Sequence, residues 1–179
     1  LMQTMPRPTE SETQDNAAFG ALLWALSRPG VPRLLPVPGE ASIIAAIVDR
    51  ECRAYAAHPQ LVPQIRRTGA KITELHHADH VFLGALTSID VLGVLAIGSD
   101  LYPDGGATVV IRARIGAGQA LRFSGPGIDG ETVVQLDGLP EGFWAARAER
   151  IRYPMGFELY CVDGAQVLGV PRSTVVEVL

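Results

Sequence analysis

The sequence predicts an α/β fold: a single domain with a mixed central sheet flanked by helices. Segments with apolar residues at helical spacing are interleaved with short segments of alternating or continuous β-branched residues. Glycine-containing turns join consecutive strands as hairpins, so the sheet cannot be wholly parallel. The length, 179 residues, suits one core, since roughly 70% of the unfolded surface can be buried at this size.

Residues 1–14 hold two prolines and many polar groups without a period and read as a flexible arm, which leaves 15–179 as the domain. A first helix is predicted from Asp15 or Asn16, either a good N-cap, with Phe19, Leu22, Leu23 and Leu26 on its apolar face. It ends at Ser27-Arg28, because Pro29 disfavours α geometry before it and Gly30 follows. After a proline-rich connection, Ile43, Ile44, Ile47 and Val48 mark a second helix. Arg53 to Ala56 reads as a strand, Leu61 to Arg67 as a short helix closed by Gly69, and Lys71 to Leu75 and Val81 to Leu83 as strands. Thr87 or Ser88 is placed to cap a helix from Ile89 to Ile97, with Gly98 as its left-handed C-cap. From Thr108, apolar Val109, Ile111, Ala113 and Ile115 alternate with Val110, Arg112 and Arg114 as in a strand. The Gly116-Ala117-Gly118 turn then predicts a hairpin returning through Leu121 to Ser124. Val133 to Leu136 is a further strand and Glu141 to Arg152 a helix. Phe157 to Val162, Val167 to Val170 and Thr174 to Val178 are closing strands, the first two joined through Asp163-Gly164.

Composition excludes some function classes. The net charge of −4 opposes the phosphate attraction on which most nucleic-acid binding rests. No apolar run approaches the ~20 residues of a membrane helix, and the N-terminus lacks the pattern of a signal peptide, so neither a membrane nor a nucleic acid is expected as partner. Cys52 and Cys161 match no metal spacing; the cytoplasm, with both thiols reduced, is the expected compartment.

Several constellations invite chemical readings. Gly125-Pro126-Gly127-Ile128-Asp129-Gly130 satisfies G-x-G-x-x-G, but a strand follows it where a phosphate site needs a helix, and Pro126 has no N–H; it reads as a tight turn between strands. In the cluster His76-His77-Ala78-Asp79-His80, His76, Asp79 and His80 would share a face with metal-ligand spacing only on a helix, whereas the flanks read as strands. Ser27, Ser124 and Ser173 lie in no nucleophile elbow. Lys71 is the only lysine, so a Schiff-base cofactor has one attachment point, and no serine- or glycine-rich cup accompanies it; no cofactor and no metal are expected. Arg28, Arg152 and Arg172 each sit at a predicted element boundary, where a guanidinium can hold an oxyanion in a bidentate fork or form a structural ion pair or a subunit contact. The aromatic residues are scattered, as in a core or an interface rather than a stacking stripe.

Five phrases in fixed order carry a resemblance: Leu22-Leu23-Trp24-Ala25-Leu26-Ser27-Arg28-Pro29-Gly30, Tyr102-Pro103-Asp104-Gly105-Gly106-Ala107-Thr108, Ser124-Gly125-Pro126-Gly127-Ile128, Tyr153-Pro154-Met155-Gly156 and Pro171-Arg172-Ser173-Thr174. Together, from about Phe19 to the C-terminus, they resemble the PhnH family, the H subunit of the bacterial carbon-phosphorus lyase system that breaks down phosphonates. The resemblance implies a reduced pyridoxal-phosphate transferase fold without its cofactor. It implies partnership with G, I and J subunits and the formation of homodimers. It further implies support for an enzyme of the transferase class at the level of the complex. That enzyme moves a phosphonate, such as methylphosphonate, to the ribose C1 of ATP and releases adenine, giving a ribose 1-phosphonate 5-triphosphate. In that scheme the H subunit is structural or accessory and supplies no catalytic residue. Ala78-Asp79 before an apolar strand also matches the family, which makes Asp79 a candidate beside Arg28, Arg152, Glu158 and Arg172 for ligand or subunit contact. The chain departs from the family at Gly20, at Glu158 where aspartate is usual, and at Asp104 where glutamate is usual. The alternative from another class is an independent phosphate-binding or pyridoxal-type enzyme.

Overall fold

The computed structural model describes residues 6–179, and the first five residues of the expected arm lie outside it. The first helix, α1, spans Glu10–Ser27 and so starts earlier than Asp15. The cause is a capping box: the Glu12 N–H donates to Thr9 Oγ1 at 3.1 Å and the Thr9 N–H to the Glu12 carboxylate at 2.7 Å. Residues 10–14 are therefore helical rather than part of an arm. The buried face also differs from the expected one, being formed by Ala18, Leu22 and Ala25 while Phe19 and Leu23 are half-exposed. At Ala25 the helix comes so close to the sheet beneath it that a Cβ on Gly169 would collide with the Ala25 carbonyl.

Seven strands form the large sheet: β1 (Arg33–Leu34), β2 (Arg53–Ala56), β3 (Lys71–Ile72), β4 (His80–Ala85), β5 (Thr108–Arg112), and two we number β8 (Glu158–Asp163) and β9 (Gln166–Val170). Their order is β1-β9-β8-β5-β4-β2-β3, with β3, β2, β4, β5 and β8 mutually parallel and β9 antiparallel to both its neighbours. Beside α1, helices α2 (Glu40–Ile47) and α3 (Val62–Arg67) cover one face, burying Ile43, Ile44 and Ile65 against Phe82, Val110, Tyr160 and Val162. Tyr160 secures this layer by donating its hydroxyl to the Leu22 carbonyl at 3.0 Å.

The opposite face corrects the expectation of helices on both sides. It is covered largely by a second, three-stranded antiparallel sheet of β6 (Arg114–Ser124), β7 (Glu131–Asp137) and β10 (Val175–Val178), in the order β10-β6-β7, together with helix α4 (Phe143–Arg150). Leu121, Phe123, Leu136, Phe143 and Trp144 from this layer pack on Val81, Val109, Ile111, Leu159 and Cys161 of the large sheet. The expected hairpin between β5 and Leu121–Ser124 is absent, because β5 and β6 belong to different sheets. Gly116-Ala117-Gly118 is a bulge inside β6, where Ile115 and Gln119 both oppose Leu136. The hairpin of this region is β6–β7, turned by Gly125 to Gly130.

The Ile89–Ile97 segment is not an α-helix but holds a 3₁₀ stretch, Asp90–Val94. Gly93 weakens helix formation there, and Leu92 and Leu95, both buried three residues apart, match the shorter turn. The strand expected to Leu75 stops at Ile72, and a 3₁₀ turn, Leu75–His77, precedes β4. Among the described residues no helix is long and apolar enough to cross a membrane.

Two glycines make opposite predictions for one substitution. A Cβ on Gly169 in β9 would run into the Ala25 carbonyl and backbone of α1, so Gly169→Ala is expected to cost about 1–3 kcal/mol through overpacking. A Cβ on Gly20 in α1 meets nothing within 4 Å, so Gly20→Ala is expected to stabilise by up to about 1 kcal/mol through helix propensity. Urea unfolding of the two variants beside the parent chain checks both signs.

Candidate functional site

The five sequence phrases come together at one end of the molecule. Gly127, at the tip of the β6–β7 turn with φ +82°, lies against the end of α1: a Cβ there would collide with the Ser27 carbonyl and lie 3.2 Å from Pro29 Cδ. Gly125 in the same turn faces Ser173, whose carbonyl would be 2.7 Å from a Cβ. The positive φ and the close approaches together explain why glycine, and not a larger residue, occupies this turn.

From Ser173 the chain leads directly to Arg172, which ties in the remaining phrases. The Arg172 backbone N–H donates to Glu158 Oε2 at 2.8 Å and its Nε to Glu158 Oε1 at 2.7 Å. Nη1 donates to the Pro103 carbonyl at 2.6 Å and to the Pro154 carbonyl at 3.2 Å. The side chains of Arg172 and Glu158 are only 13% and 23% exposed, so the pair is shielded from water and from salt. Gly106 lies under the guanidinium, where a Cβ would collide with the Gly156 carbonyl and come 2.8 Å from Nη2. Main-chain bonds complete the junction: Gly156 N–H to Ile97 O at 2.9 Å, Ala107 N–H to Ala96 O at 2.8 Å and Glu158 N–H to Ala107 O at 3.0 Å. All of this sits at the amino ends of the parallel strands β5 and β8.

Of the five candidate residues, only Glu158 and Arg172 meet in an ion pair. Arg152 is exposed and exchanges two backbone hydrogen bonds with Met155, on the loop whose Pro154 carbonyl Arg172 holds. Arg28 is exposed at the end of α1, where its N–H donates to the Trp24 carbonyl. Neither guanidinium forms an ion pair among the described residues. Asp79 lies along the same edge of the sheet, where its carbonyl accepts the Thr108 N–H at 2.8 Å, but its carboxylate accepts from the Arg53 N–H at 2.8 Å, Nε at 3.2 Å and Nη2 at 2.7 Å, joining the start of β2 to that of β4. Partial burial pushes its carboxyl pKa up, but the Arg53 hydrogen bonds and charge outweigh that and hold it below the usual value.

Sequence reasoning missed Arg147. It is 3% exposed, and it donates from Nη1 to the Thr174 carbonyl at 3.2 Å and from Nη2 to the Pro171 carbonyl at 2.8 Å. No carboxylate among the described residues lies within ion-pair distance. Burial brings its pKa down to about 10, partly opposed by the charge of Glu158. The signal was present: Phe143, Arg147 and Ile151 recur at i, i+4 and i+8, which puts the arginine on the apolar stripe of α4. A second unforeseen group is Glu40, 5% exposed, which accepts from Arg112 Nε at 2.6 Å across the other end of the sheet.

His76 and His77 are exposed on a 3₁₀ turn while His80 opens β4, and no group of three or more metal-ligating side chains is assembled among the described residues. Lys71 is exposed on the two-residue edge strand β3. The Cys161 thiol is buried in the core and pushed up to about 12 by that burial. Ser27 Oγ donates to the Leu23 carbonyl at 2.8 Å, as a helix-terminal hydroxyl does.

Two substitutions test the electrostatics. Glu158→Gln leaves the Arg172 guanidinium half-buried without its counter-charge and is expected to cost about 2–3 kcal/mol in urea unfolding, with Glu158→Asp intermediate. Asp79 has a folded pKa below its unfolded one, so its contribution is present above the unfolded value of about 3.9 and is lost as pH falls through the folded value. The stability gap between the parent chain and Asp79→Asn should accordingly be constant near neutral pH and close below about pH 4. A gap that widens in acid would contradict this.

The chain resembles known proteins along most of its length. It is 33% identical over 169 residues to a protein of Stutzerimonas stutzeri named "Putative C-P lyase subunit protein HtxG", an alignment covering 90% of this chain and 85% of that protein. Residues 7–177, which include all five phrases and the whole Arg172 junction, match the family described as bacterial phosphonate metabolism protein (PhnH), and the chain belongs to that family.

Proposed function

We propose that this chain is an accessory subunit of a carbon-phosphorus lyase assembly in phosphonate breakdown. In this reading it supports transfer of a phosphonate, such as methylphosphonate, to the ribose C1 of ATP with loss of adenine. It works in the cytoplasm through contacts with G, I and J subunits, supplies no catalytic group of its own, and pairs with a second copy of itself. Membership of the family and the relative's name support the assembly. The reduced pyridoxal-phosphate transferase likeness is supported by a seven-stranded sheet with a single antiparallel strand.

One observation carries the accessory role: the Arg172 junction is built to present loops. Its guanidinium holds the carbonyls of Pro103 and Pro154, and the residues just before those prolines, Tyr102 and Tyr153, are 70% and 72% exposed. Large amphipathic side chains fixed on immobilised backbone lose little entropy on docking and are favoured at interfaces. Half-exposed Phe19, Leu23 and Trp24 on α1 offer a second apolar surface. The pyridoxal alternative finds no comparable feature, since Lys71 stands exposed at a sheet edge.

Native mass spectrometry of the chain mixed with a G, I and J subcomplex lacking its H subunit tests the proposal. Incorporation at defined stoichiometry is expected, with Tyr102→Ala/Tyr153→Ala weakening it at unchanged thermal stability. A chain that stays apart from every one of the three subunits would overturn the reading.

A further inference from the structure

Between α4 and the outer edge of β10 lies a cavity of about 510 Å³. Its polar wall holds Arg147, Arg172, Ser173 and Thr174; Trp144, Ile151 and Val176 contribute its apolar wall. That combination of concavity, apolar lining and a few convergent polar groups is typical of small-molecule sites.

The charges in this cavity do not balance. No carboxylate lines it, and Glu158, the nearest acid to both guanidiniums, is already bonded to Arg172. Arg147 is therefore a buried cation without a counter-ion of its own, an arrangement that costs stability unless something anionic is supplied. Donors are also in excess. Each guanidinium carries five N–H groups. Arg147 gives two hydrogen bonds, one from each Nη, and the Arg172 side chain gives three, from Nε and Nη1, leaving Arg172 Nη2 unused. Arg147 Nε and Thr174 Oγ1 are buried without any hydrogen-bond partner. Unused donors of this number suit an oxyanion with several acceptor oxygens.

We propose that the cavity binds a small organic molecule with a tetrahedral phosphate- or phosphonate-type head, the head set against Arg147 and Arg172 and an apolar body lying on Trp144, Ile151 and Val176. This goes beyond the accessory role, because it gives the isolated chain a ligand of its own.

The chain has two tryptophans, Trp24 half-exposed on α1 and Trp144 in the cavity wall, so Trp24→Phe leaves Trp144 as the only indole reporter. In that background, fluorescence titration uses inorganic phosphate, butylphosphonate and butyl phosphate. The expected result is a saturable change in Trp144 emission, with the better butyl compound binding roughly tenfold or more tighter than inorganic phosphate because its chain leaves water. The two butyl compounds distinguish a phosphonate head from a phosphate ester. Ala148 is exposed on α4 at the cavity rim, so Ala148→Glu adds a carboxylate there without disturbing the core. It should weaken binding roughly tenfold at an unchanged unfolding midpoint. Arg147→Lys, which keeps the charge and loses the fork, should weaken it as well. No saturable response to any of the three compounds, or a response that Ala148→Glu leaves intact, would overturn the proposal. Joining of the assembly is read separately by mass spectrometry, so either idea can fail alone.

Discussion

The Glu158–Arg172 pair is the interaction on which the far end of this molecule depends. Glu158 opens β8 and Arg172 follows β9, so the two are brought together by the β8–β9 hairpin itself. There the Arg172 main-chain N–H takes one Glu158 oxygen and Nε the other, which fixes the guanidinium so that its Nη1 meets the Pro103 and Pro154 carbonyls. Two loops separated by some fifty residues are positioned by one side chain. Glycines at 106 and 156 permit the approach, because a side chain at either would occupy the space taken by Arg172 or its neighbours. Arg147 extends the junction by holding the Pro171 and Thr174 carbonyls on either side of Arg172-Ser173. Here sequence, backbone geometry and surface are linked in one step: the arginine fixes the loops, and the loops present the tyrosines.

The two acidic positions set apart by the sequence resemblance, Glu158 and Asp104, can be weighed in this light. Glu158 contacts both a main-chain and a side-chain donor of Arg172, so an aspartate in its place, one methylene shorter, would need β8 and the Arg172 segment to approach more closely. Asp104 is exposed and forms no ion pair among the described residues, so the length of its side chain has no partner to miss. The two positions look equivalent in sequence and are not equivalent in the fold.

Much of the architecture was legible because periodicity reports local geometry. The α2 isoleucines, the β7 and β8 strands and the turn at Gly125 to Gly130 all appear where their spacing places them. What remained illegible depends on partners distant in sequence. Alternation from Thr108 to Ile115 is the same whether the chain stays in one sheet or crosses to another, and the crossing at Ala113 is decided by which neighbours β6 finds. Helix α1 could not reveal its buried face, since the deciding contact is with Gly169 more than a hundred residues away. Of the site, Arg172 and Glu158 could be picked out by resemblance, but their bond could not. Arg147 was hidden because a cation on an apolar stripe is usually a side chain that reaches past it into water.

The two ends of the large sheet resolve their charges differently, and that contrast bears on function. Open α/β sheets commonly take ligands outside the carboxyl ends of their strands. The cleft at that end, about 460 Å³, is lined by Glu40, Arg112, Arg114 and Asp163, yet its charges are paired internally. Glu40 holds Arg112, Asp137 holds Arg114, and Asp163 accepts the Ile115 N–H at 2.9 Å. Burial works against the Glu40 charge, but Arg112 more than compensates and keeps that carboxyl below its usual pKa. A cleft so neutralised has little left with which to attract an anion. At the amino end, Glu158 pairs with Arg172 alone, buried Arg147 has no ion-pair partner among the described residues, and the excess charge faces a cavity. Recognition of an anionic molecule therefore belongs, on electrostatic grounds, to the end of the sheet where all five sequence phrases meet.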